Sequence, residues 1–118
     1  MRSCWAEQRS PRTAEFWTEA PYMTREGASW LLEKGVRAVA FDFPQDYCIR
    51  LMLKGEVRPI EENVTHDILL RNGVILIEYL VNTVALTRPR VWFCCLPLKV
   101  PAADGAPARV IAMDSAPV

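Results

Sequence analysis

The residues able to do chemistry are concentrated in one stretch, THDILLRNGVILIEYLVN over residues 65–82. It holds the chain's single histidine, His66, and one carboxylate, Glu78, at the end of an apolar run. An imidazole and a carboxylate are both ligands for a divalent metal. Two ligands fall short of a catalytic zinc site, which takes three protein ligands and keeps one position for water. Between them lies Asn72-Gly73, a pair that tolerates positive φ and so marks a turn or a helix stop. The pattern predicts a short helix carrying His66, a reversal at Gly73, and a buried strand through Val74–Ile77 that delivers Glu78. That geometry folds the two side chains toward one another, close enough to share one ion. The plain alternative puts His66 at the surface or at a helix cap. Glu78 then pairs with an arginine such as Arg109, since a carboxylate is seldom buried without a partner.

The order His66-x-x-Leu69-Leu70-x-Asn72-Gly73-x-x-x-Ile77-Glu78 resembles the second half of the cyclase family of metal-dependent hydrolases, which includes bacterial kynurenine formamidase. Matching pieces run from about Ser3 to Ala112. They include Ala20-Pro21-Tyr22, Trp30-Leu31-Leu32, Asp42-Phe43-Pro44, Leu96-Pro97-Leu98-Lys99, and Asp104-Gly105-Ala106-Pro107 followed by Arg109. The resemblance implies an α/β fold of the swivelling β/β/α type, a mixed sheet with flanking helices, here incomplete. It implies that His66 and Glu78 bind metal, zinc or manganese. It also implies hydrolysis of an amide C–N bond in a small aromatic substrate, such as N-formylkynurenine or a cyclic amide. The family's His-x-Gly-Thr-His-x-Asp motif, which supplies the other ligands, is missing, because the chain has no second histidine. The expectation is therefore the C-terminal half of such an enzyme, inactive alone. Its partner would be a complementary N-terminal half or further copies of itself. A rival from another class is a binding or assembly module that keeps the fold without the chemistry.

The elements that must position these residues follow in order. Residues 1–21 read as irregular. Residues 24–34 form the clearest helix, with Thr24 as N-cap, Glu26 in the first turn, and Gly35 as the stop. Ala28, Leu31 and Leu32 make its apolar stripe. Residues 36–43 read as a buried strand ended by Pro44. Asp42 closes it, where α/β sites usually sit. It is either a site residue, as the resemblance implies, or a turn carboxylate. Residues 45–54 have a poor helical pattern, and residues 56–63 read as a loop leading to His66. A helical turn is expected within residues 81–86. The apolar run Val91-Trp92-Phe93-Cys94-Cys95-Leu96 reads as a strand buried on both faces, with Cys94 and Cys95 as small core residues. Asp104-Gly105 predicts a hairpin turn into a strand over 108–113, and residues 114–118 a frayed tail.

Composition narrows the rest. At 118 residues and 51% apolar, the chain reads as one partial domain. Fourteen basic and fourteen acidic side chains leave no field for nucleic acid or a membrane surface. No run reaches the roughly 18–20 apolar residues of a membrane span, and the start lacks the apolar core of a secretory signal. A cytoplasmic location is the resulting expectation. None of the four cysteines, Cys4, Cys48, Cys94 and Cys95, forms a CxxC pair. Trp5, Phe16, Trp17 and Tyr47 can line an aromatic pocket or fill a core. Half of a single-core fold leaves strand faces uncovered, so the chain is expected to form oligomers or to aggregate.

Overall fold

The computed structural model describes residues 12–114. The chain divides into two compact units, with the boundary between Thr83 and Val84. Among the described residues, no helix is long and apolar enough to cross a membrane.

The first unit is built on one helix and one pair of strands. Helix α2, Arg25–Glu33, starts where the Thr24 hydroxyl accepts a hydrogen bond from the Gly27 amide at 3.1 Å. It stops at Gly35, whose φ of 69° the left-handed exit requires. A shorter helix, α1, Ala14–Thr18, precedes it in a stretch the sequence suggests is irregular. Its Phe16 is fully buried, and that burial supplies the order that local propensity does not. Strand β1, Ala38–Ala40, runs parallel to β2, Ile75–Ile77, in the register Ala38↔Ile75, Val39↔Leu76 and Ala40↔Ile77. The pairing continues past both strands, as the Phe41 amide donates to the Ile77 carbonyl and the Leu80 amide to the Phe41 carbonyl. Ala28, Leu69 and Val74 form the buried centre, with Leu31, Leu32 and Leu76 packed against it.

A parallel pair needs a crossover, and everything between residues 40 and 75 serves as one. It contains a single helical turn, α3, Ile49–Met52, a 3₁₀ turn at Ile60–Glu62, and the short helix Thr65–Leu69. The poor helical pattern of residues 45–54 thus leaves only α3 as regular helix. Parallel alignment sets the carboxyl ends of β1 and β2 side by side, the end of an α/β sheet where binding sites collect. The chain leaves β1 toward Gln45 and Asp46 and leaves β2 directly into Glu78.

The second unit is a β-ribbon. Strand β3, Trp92–Pro97, pairs antiparallel with β4, Ala108–Met113, from Trp92↔Met113 to Pro97↔Ala108. The strand pairs therefore form two separate sheets, one parallel and one antiparallel, where one mixed sheet was expected. The β3 run also departs from its expected burial. No described residue of this unit is buried, and Trp92, Leu96 and Leu98 are each more than half exposed. Cys94 and Cys95 are half-buried. An apolar run identifies a strand but cannot supply the layers that cover it. The tight turn of the ribbon falls at Val100–Ala103, where Ala102 takes φ 57°, and Asp104-Gly105 lies beyond it. Only the first residue of the expected frayed tail, Asp114, lies within the described residues, and Ser3, Cys4 and Trp5 lie outside them.

Candidate metal centre

His66 enters the site from a one-turn helix of unusual winding. Thr65–Leu69 is wound as a π-helix, and a 3₁₀ turn, Leu70–Asn72, follows at once. Single wide turns of this kind recur at functional positions because they re-aim one side chain. Gly73 then reverses the chain with φ 81°, as the Asn-Gly signal predicts. The Val74 amide closes the reversal on the Leu69 carbonyl at 3.0 Å. The strand that follows is half-exposed rather than buried, with Ile75 facing out. Its neighbour β1 covers one edge. Glu78 stands just past its end, and Tyr79 next to it takes φ 58°. That region is uncommon for a bulky residue.

The two side chains meet. His66 Nε2 lies 3.8 Å from Glu78 Oε1, with both side chains about one-third exposed. Two donors each about 2.1 Å from a tetrahedral ion stand about 3.4 Å apart, so this separation suits a shared divalent ion after a small adjustment. No arginine of the first unit's described residues pairs with Glu78. The Glu78 carboxylate instead accepts a hydrogen bond from Gln45 Nε2.

The other face of the imidazole is held from within the protein. Asp46, its side chain wholly buried, accepts from His66 Nδ1 at 2.9 Å. The same carboxylate accepts from the Thr65 amide at 2.8 Å and from the Thr65 hydroxyl at 2.7 Å. No lysine or arginine pairs with Asp46 among the described residues, so these donors carry the burden of desolvating its charge. A histidine whose second nitrogen is tied to a carboxylate is the usual arrangement behind a metal ligand. The hydrogen bond to Asp46 raises the imidazole pKa above its ordinary 6.5. Burial works against the shift, and the charges of Asp46 and Glu78 add to it. Burial, with Glu78 and Asp46 nearby, likewise raises the Tyr79 phenol. Its ring stands edge-on to Trp17, centroids 5.7 Å apart, giving an aromatic wall next to Glu78.

The remaining sequence-derived candidates are placed elsewhere. Asp42 is buried at the end of β1, where its carboxylate accepts from the Thr83 hydroxyl at 2.7 Å. No hydrogen bond or ion pair joins it to His66 or Glu78, which favours the turn-carboxylate reading. Arg109 belongs to the second unit, on β4 opposite Leu96. Asp67, adjacent to His66, is taken up by Arg71 at 2.7 Å and Arg25 at 3.3 Å. Phe16 is core, and Tyr47 packs on Tyr22 and Arg50. Among the described residues no group of three or more His, Cys, Asp and Glu side chains can hold a metal ion.

Sequence reasoning missed Gln45, Asp46 and Thr65. A signal for the first two was present. Gln45-Asp46 follows the β1 strand directly after Pro44, and polar pairs at strand carboxyl ends deserve the same suspicion that Asp42 drew. What the sequence could not reveal is that both are almost completely buried.

Comparison with solved structures gives a likeness of fold and sequence. The chain is similar to a solved structure described as a potential metal-dependent hydrolase with cyclase activity. The likeness has a TM-score of 0.58 and 30% sequence identity, and covers 84% of this chain. The likeness thus extends to both fold and sequence. This chain spans only 44% of that protein's length. No family model matches the sequence, and no curated protein does.

Proposed function

We propose that this chain contributes His66 and Glu78 to the divalent metal centre of a cyclase-family amide hydrolase. The supporting observation is the 3.8 Å approach of His66 Nε2 to Glu78 Oε1, with Nδ1 held by a buried carboxylate. The resemblance to kynurenine formamidase suggests a small aromatic amide as substrate, with water cleaving N-formylkynurenine to kynurenine and formate, or opening a related cyclic amide. When bound, a zinc or manganese ion supplies Lewis acidity toward the amide carbonyl and activates water. His66 and Glu78 hold that ion from one side. The Trp17–Tyr79 pair offers an apolar edge to an aromatic ring, and a raised phenol pKa keeps Tyr79 protonated as a hydrogen-bond donor.

A three-ligand site would draw its other ligands from outside the described residues of this chain. The two-ligand set holds metal weakly alone, at micromolar affinity or worse, on the order expected without a closed shell. Isothermal titration with Zn²⁺ and Mn²⁺ tests this reading. Weak binding by the wild-type chain that is abolished in both His66→Ala and Glu78→Ala is the expected result. Equal binding by all three proteins would reject it.

One observation favours the rival reading, an assembly module without chemistry. The ribbon of the second unit carries exposed apolar side chains on both of its faces, as a surface awaiting a partner does. Metal titration combined with sedimentation of the chain separates the two readings. A chain that self-associates but binds neither Zn²⁺ nor Mn²⁺ identifies the module.

A further inference from the structure

Two adjacent residues, Gln45 and Asp46, each reach one of the two candidate ligands. Gln45 Nε2 donates to Glu78 Oε1, and Asp46 Oδ2 lies 2.9 Å from His66 Nδ1. Both residues are only 1% exposed, while the side chains they hold are about one-third exposed. The dipeptide is itself fixed from two sides. The Gln45 carbonyl accepts from the Met23 amide at 2.8 Å, and the Asp46 carboxylate is gripped by the amide and hydroxyl of Thr65.

We propose that Gln45-Asp46 is a clamp that orients both candidate ligands, and that Asp46 fixes the tautomer of His66. The first half follows from rigidity. A buried dipeptide with its own partners holds an exposed imidazole and an exposed carboxylate in one geometry, lowering the ordering cost of binding an ion. The second half follows from hydrogen-bond chemistry. An ionised carboxylate only accepts, so a 2.9 Å contact with Nδ1 requires the proton to be on Nδ1. The Thr65 hydroxyl spends its own hydrogen on Asp46 Oδ2 and has none to give the ring. Neutral His66 therefore keeps an unprotonated Nε2, the nitrogen that faces Glu78. The Gln45 amide is fixed in the same way, since only its nitrogen can donate to a carboxylate. Its oxygen, also buried, has no hydrogen-bond partner among the described residues.

This inference rests on the metal-ligand reading for its purpose, and its tautomer test does not require metal. His66 is the sole histidine, so long-range ¹H–¹⁵N spectra of the metal-free chain report its tautomer without assignment ambiguity. At a pH where the ring is neutral, the wild-type spectrum is expected to show Nδ1–H. In Asp46→Asn the side-chain oxygen still accepts from the Thr65 amide, while its new NH₂ faces the ring and donates to Nδ1. The spectrum should then switch to Nε2–H, and Zn²⁺ affinity should fall on the order of 10- to 100-fold. Gln45→Met removes the donor to Glu78 and the orphaned oxygen at similar volume. It should weaken Zn²⁺ binding with the tautomer unchanged. An Nε2–H tautomer in the wild type, or Nδ1–H retained in Asp46→Asn, overturns the inference. Absence of Zn²⁺ binding by a wild-type chain with the expected tautomer overturns the metal-ligand reading instead.

Discussion

In the first unit a wholly buried carboxylate, Asp46, is carried by three donors from Thr65 and His66, while in the second unit no described side chain is buried at all. The first unit spends its interior on a polar network and a small apolar centre around Leu69. The second places Trp92, Phe93, Leu96 and Ile111 on a ribbon of two strands, each of them exposed. A lone two-stranded ribbon is marginal in water, because it has no second layer in which to bury its side chains. The contrast teaches that fixing a site and covering a surface are separate tasks. This chain accomplishes the first internally and leaves the second to whatever it meets.

The largest effect should come from the polar network. Asp46→Ala strands the Thr65 amide and hydroxyl in the interior and should cost about 3 kcal/mol in urea unfolding. A loss below about 1 kcal/mol would mean the network does not hold the first unit together. Next comes a matched pair of truncations. Leu69→Ala, at a fully buried position, should cost about 2–3 kcal/mol, whereas Leu96→Ala, more than half exposed, should stay under about 1 kcal/mol. Equal losses would show that Leu96 is covered in solution and would erase the contrast.

Self-association tests the uncovered ribbon directly. If Trp92 and Leu96 drive it, the double change to glutamate should weaken the association constant at least about tenfold, or about 1.4 kcal/mol, in sedimentation equilibrium. A wild-type chain that sediments as a monomer at all accessible concentrations would remove the premise.

The smallest effect is the pH dependence of the His66–Asp46 contact. The folded state raises the imidazole pKa, so it holds the proton more tightly than the unfolded chain does. That stabilisation is complete below the unfolded value near 6.5 and is lost as pH rises through the higher folded value. Chemical denaturation of the wild type and of His66→Asn across this window should differ in slope. Parallel curves would show that His66 does not exchange its proton against Asp46. Metal binding runs the other way, since protons compete for Nε2, and should strengthen with rising pH.

The site and the fold were legible in the sequence to different depths. Asn72-Gly73 announced the reversal because only residues tolerant of positive φ can make it, and Thr24 with Gly35 marked helix α2 by the same local logic. From that reversal the approach of His66 to Glu78 could be expected. The β3 strand was legible as a strand, yet its burial was not. An apolar run records what a residue prefers, and its cover depends on which other segments arrive.

Local turn chemistry and side-chain periodicity, acting over a few residues, were settled by the sequence itself: the helix at Arg25–Glu33, the strand over Ala108–Met113, and the turn between His66 and Glu78. Tertiary structure alone decided that Gln45 and Asp46 stand behind those two residues. They lie 33 and 20 positions away in the chain, and parallel pairing of β1 with β2 brings their loop to Glu78 and Thr65. No local preference encodes such a contact, because its energy comes from burying a polar group with its donors already in place, which exists only once the strands have met.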